Sequence, residues 1–266
     1  MMLPTSKALT IVFAVVGVLA GVSCQPAGAQ STVKRVSASD PLYKLIGQVS
    51  TDEFPDDYGQ GSFIGGDGCH ILTNFHVVFY AGVNSDGQNT VRADPAVGGS
   101  VTFSYNPDDA GKFQNVVRGK IVAFGNYMRG APRGRLEDLA LIRLSDCQKG
   151  IVPMRFDATA LSKGIPEGQL STLTVIRTKE KLNVVVMENG CQAFRNTPVT
   201  GLILTTCIAE GGTSANLLLS RDRDGAYFIV AIGSGGGNLP SGQEVAIDVS
   251  ASAVAKFLAE SGMTVE

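Results

Sequence analysis

The feature that most constrains this chain is a regular succession of short apolar runs, each separated from the next by glycine, proline, asparagine or aspartate. Runs of about four to eight residues bounded by turn-forming residues are typical of β-strands, whereas helices need longer segments. The 32 glycines among 266 residues agree with this pattern, because glycine suits tight turns and weakens helices. The chain is therefore predicted to be all-β.

Two sets of six strands are predicted, with a break between them at 147–153. Six antiparallel strands are enough to close a small barrel. Apolar side chains on one face of 250–262 predict a short helix, and 81–99 is rich in turn-forming residues and predicts a surface loop. We therefore expect two six-stranded antiparallel β-barrels with a short C-terminal helix. The predicted strands are 45–49, 61–64, 70–73, 101–104, 116–123 and 139–144 in the first set, and 173–176, 182–187, 201–206, 216–220, 227–232 and 244–249 in the second.

The first 29 residues have the organisation of a secretory signal peptide. Lys7 precedes the apolar stretch 8–20, and small residues at Ala27 and Ala29 mark a cleavage site before Gln30. The apolar stretch is shorter than the roughly 20 residues that a membrane span needs. The predicted organisation is a signal peptide at 1–29, a first barrel at 30–150 and a second barrel at 151–266.

Export predicts a secreted or periplasmic protein with no membrane span after the signal peptide is removed. Lipid attachment at Cys24 is an alternative, although Gly21, Val22 and Ser23 lack the large apolar residue usual at the start of a lipobox. A retained N-terminal anchor is another alternative, and no second apolar segment of spanning length supports a multi-span protein.

Four cysteines remain after the signal peptide: Cys69, Cys147, Cys191 and Cys207. An even number in an oxidising compartment predicts two disulfides, with four buried thiols as the alternative. No C-x-x-C motif occurs and the chain has only two histidines, so no zinc or other metal site is expected.

The charge balance argues against a nucleic-acid partner. The chain has 22 Lys and Arg residues against 24 Asp and Glu residues, and no basic block that could neutralise a phosphate backbone. No glycine cluster has the spacing of a nucleotide-binding loop. Neither nucleic acid nor a nucleotide cofactor is therefore expected.

Three polar residues at the ends of apolar segments predict hydrolytic chemistry. A serine nucleophile needs a base, a carboxylate that orients the base, and donors for the developing oxyanion. His76 follows the strand 70–73, and Asp138 directly precedes the strand 139–144. Ser214 follows paired glycines, which would let the backbone amides of Gly212 and Ser214 converge on one oxygen. An ordinary tight turn is the alternative for those glycines.

The chain has only two histidines that could act as the base. His70 begins the predicted strand 70–73 within an apolar run, which favours a structural role at the strand edge. His76 lies where the strand ends, and strand ends commonly direct side chains into a cleft. The order of histidine, aspartate and serine, and the lack of a G-x-S-x-G motif, exclude an α/β-hydrolase.

Together these segments resemble the chymotrypsin-like (trypsin-fold) serine proteases, most closely the bacterial branches that include HtrA-type and glutamyl-endopeptidase-like enzymes. Residues 61–78 match the family's G-x-G/S-F-I-G and ILTN-x-H-V segments, and 138–144 match its D-x-A-L-I-x-L strand. The serine motif G-x-S-G-G/S-P matches at 212–214 and departs at 215–217, where Ala, Asn and Leu follow the serine. The resemblance spans roughly 45–258.

The resemblance implies an exported serine endopeptidase that acts on protein or peptide substrates without a cofactor or metal. His76 would be the general base, Asp138 its orienter and Ser214 the nucleophile, with the active site between the barrels. A catalytically inactive binding protein of the same fold is the alternative, motivated by the departure after Ser214.

Two further expectations come from the same resemblance. It implies that Cys69 pairs with Cys147 and that Cys191 pairs with Cys207. It also implies that 230–236 is a strand lining the primary pocket, with Ser234, Gly235 and Gly236 contacting substrate; a glycine-rich turn is the alternative.

Specificity stays open at this point. No histidine in the second half is present to bind a glutamate side chain, so a preference for glutamate by that route is not expected. The segment 208–210 is expected near the pocket floor. Depending on its alignment, that floor is apolar or acidic, which would select uncharged or basic substrates.

Overall fold

The computed structural model describes residues 31–53, 57–83, 89–91, 97–127, 136–152, 154–159, 170–194, 199–208, 212–239 and 241–263. The predicted signal peptide, including Cys24, lies outside the described residues. No helix in the described part of the chain is long and apolar enough to cross a membrane. In chain order the elements are β1 (Thr32–Arg35), a 3-10 helix (Pro41–Lys44), β2 (Ile46–Thr51), β3 (Tyr58–Ile64), β4 (His70–Thr73), α1 (Phe75–Phe79), β5 (Tyr80–Val83), β6 (Asn89–Val91), β7 (Ser100–Pro107), β8 (Phe113–Phe124), β9 (Ala140–Leu144), β10 (Leu170–Arg177), β11 (Asn183–Cys191), β12 (Ala193–Phe194), β13 (Leu202–Thr205), β14 (Leu217–Arg221), β15 (Tyr227–Asn238), β16 (Glu244–Ser250) and α2 (Ala251–Glu260).

Each predicted strand has a counterpart in the structure, and the differences lie mainly at strand ends. The predicted C-terminal helix is α2, which begins after Ser250, whose hydroxyl accepts the Ala253 N–H. The predicted loop 81–99 instead includes parts of a short hairpin formed by β5 and β6. The all-β prediction is confirmed.

The first six predicted strands form a closed antiparallel barrel in the order β2-β3-β4-β9-β8-β7. Alternate residues of β7 are buried, as expected for a strand with one face toward a core. Inside the barrel, the Phe63 ring packs edge-on against Phe103 and Tyr105, with centroid distances of 5.2 and 5.1 Å. Aromatic and branched side chains therefore fill the barrel interior.

The second module is an eight-stranded antiparallel sheet in the order β1-β11-β10-β14-β15-β16-β13-β12. It contains the six strands predicted for this half and two that were not predicted. One of these, β1, comes from the N-terminal end of the described chain and pairs with β11. The described strands form a half-barrel, whereas the sequence led us to expect a closed ring of six.

Two disulfides link the predicted cysteine pairs, and both predicted pairings are confirmed. Cys69 and Cys147, which flank the paired strands β4 and β9, have Cα atoms 4.2 Å apart. Cys191 and Cys207 connect the end of β11 to the chain beyond β13, with Cα atoms 5.1 Å apart. Each bridge restricts the unfolded chain and is expected to stabilise the fold by about 3–5 kcal/mol.

Asp248 is a buried acid in the middle of β16. Its side chain is 1% exposed, and one carboxylate oxygen accepts a hydrogen bond from the Thr205 hydroxyl at 3.1 Å. Burial, partly offset by this hydrogen bond, raises the pKa of Asp248 to about 7. The folded protein therefore holds a proton on Asp248 at acidic pH more tightly than the unfolded chain does.

This raised pKa predicts a pH-dependent stability that the substitution Asp248→Asn would remove. The contribution of Asp248 is fully present below its unfolded pKa of about 4 and is lost as the pH rises through about 7. In urea unfolding we measure the free energy of unfolding of Asp248→Asn minus that of wild type. This difference should be about 2–4 kcal/mol larger at pH 8 than at pH 5. The exposed acid variant Asp224→Asn should show no such change, and an equal difference for Asp248→Asn at both pH values would contradict the prediction.

Candidate active site

His76 and Asp138 are brought together by the pairing of β4 with β9. The last residue of β4, Thr73, lies opposite the first residue of β9, Ala140. His76 follows Thr73 in the first turn of α1, and Asp138 precedes Ala140, so both lie at the same end of the strand pair. Asn74 reinforces this geometry because its amide donates to the Asp138 carbonyl at 2.7 Å.

The Asp138 side chain is fully buried against the His76 imidazole. Its two carboxylate oxygens lie 2.8 and 3.0 Å from His76 Nδ1, and one of them also accepts the His76 backbone N–H at 3.1 Å. Because a carboxylate only accepts hydrogen bonds, Nδ1 carries a proton in this arrangement. In the neutral imidazole, Nε2 is then the acceptor.

Ser214 lies against that acceptor. Its hydroxyl oxygen is 2.8 Å from His76 Nε2. The structure thus brings together His76, Asp138 and Ser214, although 138 residues of sequence separate the histidine from the serine. The continuous arrangement of carboxylate, imidazole and hydroxyl can pass a proton from serine to histidine while the carboxylate orients the ring.

Comparison with known proteins gives a match at the level of structure. No family model matches the chain, and no match is found among curated proteins. A solved structure of a Glu endopeptidase in complex with MPD is similar, with a TM-score of 0.54 and 16% identity over 88% of this chain and 97% of that chain. This chain has a trypsin-like fold. The match supports the chymotrypsin-like fold that the resemblance implies, while the HtrA branch stays a prediction.

The trypsin-like fold here positions the serine loop through an unusual backbone conformation. Ala215 has a φ of 69°, in the left-handed region that favours glycine, and it is completely buried. Such a conformation costs about 1–2 kcal/mol for a residue with a Cβ. Hydrogen bonds hold it in place: the Ala215 N–H donates to the Gly233 carbonyl at 2.8 Å, and the Gly233 N–H donates to the Asn216 carbonyl at 2.9 Å.

Ser234 has a contact that the sequence did not reveal. Its hydroxyl donates to Asp138 Oδ2 at 2.5 Å, so the second module supplies a donor to the buried carboxylate. Gly235 and Gly236 continue β15 as an extended strand paired with Ile247 and Ala246. The glycine-rich segment is therefore a strand and not a turn, and the predicted substrate contacts of Ser234, Gly235 and Gly236 stay a prediction.

Gln60 connects the first barrel to the serine loop and was not identified from sequence. This fully buried residue donates from its backbone N–H to the Ser214 carbonyl at 2.7 Å. Its side-chain amide lies within hydrogen-bonding distance of Thr174 Oγ1 at 2.7 Å, the Val175 carbonyl at 2.8 Å and the Gly212 carbonyl at 3.2 Å. Its side-chain oxygen accepts the Val175 N–H at 3.1 Å.

The other histidine and the candidate metal ligands lie outside this arrangement. His70 is at the opposite end of β4 from His76, with Nδ1 3.0 Å from Asp67 Oδ2. Glu188, Cys191 and Cys207 place potential ligand atoms within 4.8 Å of one another, but both sulfurs belong to a disulfide and are not thiolates. These three residues do not fit the chemistry of a metal centre.

Replacing Gln60 by leucine should destabilise the protein markedly. The change keeps the side-chain bulk but leaves the Val175 N–H and the carbonyls of Val175 and Gly212 without this partner. Unpaired buried polar groups cost about 1–3 kcal/mol each, so we expect the free energy of unfolding to fall by about 3 kcal/mol or more.

Gln48→Leu is the matched control for this measurement. Gln48 lies in the same barrel, is only partly buried, and contacts Asn183 Oδ1 at 3.2 Å. Its replacement should lower the free energy of unfolding by less than about 1 kcal/mol. Similar losses for both variants in urea unfolding would show that the Gln60 network has no special weight.

Proposed function

We propose that this protein is an exported serine endopeptidase that cleaves peptide bonds through an acyl-enzyme intermediate. The observation that carries the proposal is the uninterrupted contact from Asp138 through His76 to Ser214. His76 takes the proton of Ser214 as the hydroxyl oxygen attacks the substrate carbonyl, and then gives it to the leaving amine. Water then attacks the acyl-enzyme with His76 again acting as the base, which releases the acid product and restores the Ser214 hydroxyl.

The oxyanion of the tetrahedral intermediate is assigned to the amide N–H groups of Gly212 and Ser214. Neither N–H donates to another group in the described part of the chain. Gly212 has a φ of 83°, a backbone conformation that glycine adopts without the penalty of a Cβ. Donors already held in place need little reorganisation when charge develops on the carbonyl oxygen.

Substrate backbone is assigned to the edge of β15. The strand β14 pairs with β15 only as far as Ile232, whereas β16 pairs with it as far as Asn238. Gly235 and Gly236 therefore have one edge without a strand neighbour among the described residues. An extended peptide can add to such an edge through main-chain hydrogen bonds.

Export is supported by the two disulfides, since such bonds persist in oxidising compartments. Secretion or release to the periplasm, with signal cleavage before Gln30, belongs to this proposal. The assignment of 30–150 and 151–266 as the two modules also belongs to it, with β1 crossing from the first range to pair in the second sheet.

The proposal predicts that a serine-directed fluorophosphonate labels Ser214 in the purified mature protein. Ser214→Ala should abolish both labelling and hydrolysis of an unfolded protein substrate, whereas the distant surface variant Ser145→Ala should retain both. His76→Ala should lower kcat/KM by about 10⁴-fold or more, because the serine then lacks its base.

The same measurement separates the enzyme from a binding protein of the same fold. The strained Ala215 directly after the nucleophile is the observation that favours the binding protein. Folded wild-type protein that neither labels nor hydrolyses would overturn the protease proposal. Unchanged turnover by Ser214→Ala would overturn the assignment of the nucleophile.

A further inference from the structure

A cavity of about 720 Å³ lies in the second module, lined in part by β15, the strand to which substrate backbone is assigned. Cys207 and Ile208 contribute to its lining from the chain that leads toward Ser214, and Gly236 and Asn238 contribute from β15. Cavities of roughly 300–1,000 Å³ commonly bind small groups. The size is therefore ample for one long side chain of a peptide.

Two connections relate this cavity to the nucleophile. The Ile208 carbonyl accepts a hydrogen bond from the side chain of Asn216, two residues after Ser214, at 3.4 Å. Gly236 belongs to the same strand as Ser234, whose hydroxyl contacts Asp138. A peptide lying along β15 with its carbonyl at Ser214 would thus have this cavity beside it.

Glu188 places a buried carboxylate on the cavity lining. It lies in β11 with 3% of its surface exposed, and its Oε2 accepts the Ile208 N–H at 2.7 Å. No lysine, arginine or histidine of the described residues forms an ion pair with it. A buried carboxylate with one hydrogen bond and no cation is costly, and a cationic group entering the cavity would reduce that cost.

The rest of the cavity lining is also negatively charged, like Glu188. Glu244 is a second acid of the cavity lining, and it is exposed. The described lining contains no basic residue. A metal ion is a poor occupant, since the sulfurs nearest Glu188 are bonded to each other. The cavity therefore favours an organic cation on chemical grounds.

We propose that Glu188 is a specificity-determining residue and that this cavity takes a lysine or arginine side chain on the acyl side of the cleaved bond. The inference rests on the proposed protease function. The sequence left open whether the pocket selects uncharged or basic substrates, and this proposal favours basic ones. The acid it invokes, Glu188, lies outside the segment 208–210. Residues 209 and 210 of that segment lie outside the described chain. It also separates this protein from the similar Glu endopeptidase structure, because a glutamate side chain would meet a like charge here.

The test compares peptides that differ only in the residue before the cleaved bond. We expect wild type to cleave after Lys and Arg with kcat/KM about 10²-fold higher than after Gln, and least well after Glu. Glu188→Gln keeps an acceptor for the Ile208 N–H and removes the charge. It should lose about 10²-fold on Lys and Arg peptides and change less than about 3-fold on Gln peptides.

Glu244→Gln is the matched control, because its charge is exposed to solvent and screened. It should lower kcat/KM on Lys peptides by less than about 10-fold. Fluorophosphonate labelling should proceed at the wild-type rate in Glu244→Gln and should still occur in Glu188→Gln, since the reagent needs no basic side chain. If wild type is not labelled, the protease function itself is refuted. If wild type is labelled but its peptide cleavage shows no preference for Lys or Arg, only the proposed specificity is refuted.

A measurement on the wild-type protein avoids any dependence on the folding of Glu188→Gln. Benzamidine, a flat cation, should slow fluorophosphonate labelling at millimolar concentration, and the neutral benzamide should not. Equal effects of the two compounds, a preference for Glu peptides, or retained Lys preference in folded Glu188→Gln would each overturn the proposal.

Discussion

The burial of the Asp138 carboxylate is the constraint on which the site depends. A carboxylate removed from water must receive hydrogen bonds, and here they come from both modules: the His76 ring and backbone on one side, and the Ser234 hydroxyl on the other. Satisfying this one group fixes the histidine tautomer and brings β15 up to the first barrel. The arrangement of His76 and Asp138 is thus joined to the contact between the modules, which a shared hydrophobic cluster also holds together.

Gln60 connects Ser214, the proposed nucleophile, to both modules. Its backbone and side chain contact the carbonyls of Ser214 and Gly212, while the same side chain contacts β10 of the second module. The loop can therefore carry the left-handed conformation of Ala215 because surrounding hydrogen bonds restrict the alternatives. A glycine would remove the strain, but it would also leave unfilled a position that is completely buried in the hydrophobic core.

The sequence predicts those features of the structure that short segments of the chain determine by themselves. Alternating or continuous apolar runs located the strands, and strand ends located His76 and Asp138. The strand β1 was missed because Thr32–Arg35 has no apolar alternation and all four residues are exposed; only pairing with β11 makes it a strand. Gln60 and Glu188 were missed for a related reason. Each lies in a strand, and their partners come from distant segments, as with the 114 residues that separate Gln60 from Thr174.

Glu188 and Asp248 show why burial alone does not identify a functional acid. Both lie in strands of the second module, each has one hydrogen-bond donor, and neither has a basic partner among the described residues. Asp248 is not among the residues described as lining the cavity, and burial raises its pKa to about 7, so that protonation relieves the cost of its charge near neutral pH. Glu188 instead borders an open cavity next to the proposed substrate strand. A place on the lining of this cavity, and not burial, therefore distinguishes the proposed recognition group Glu188 from Asp248.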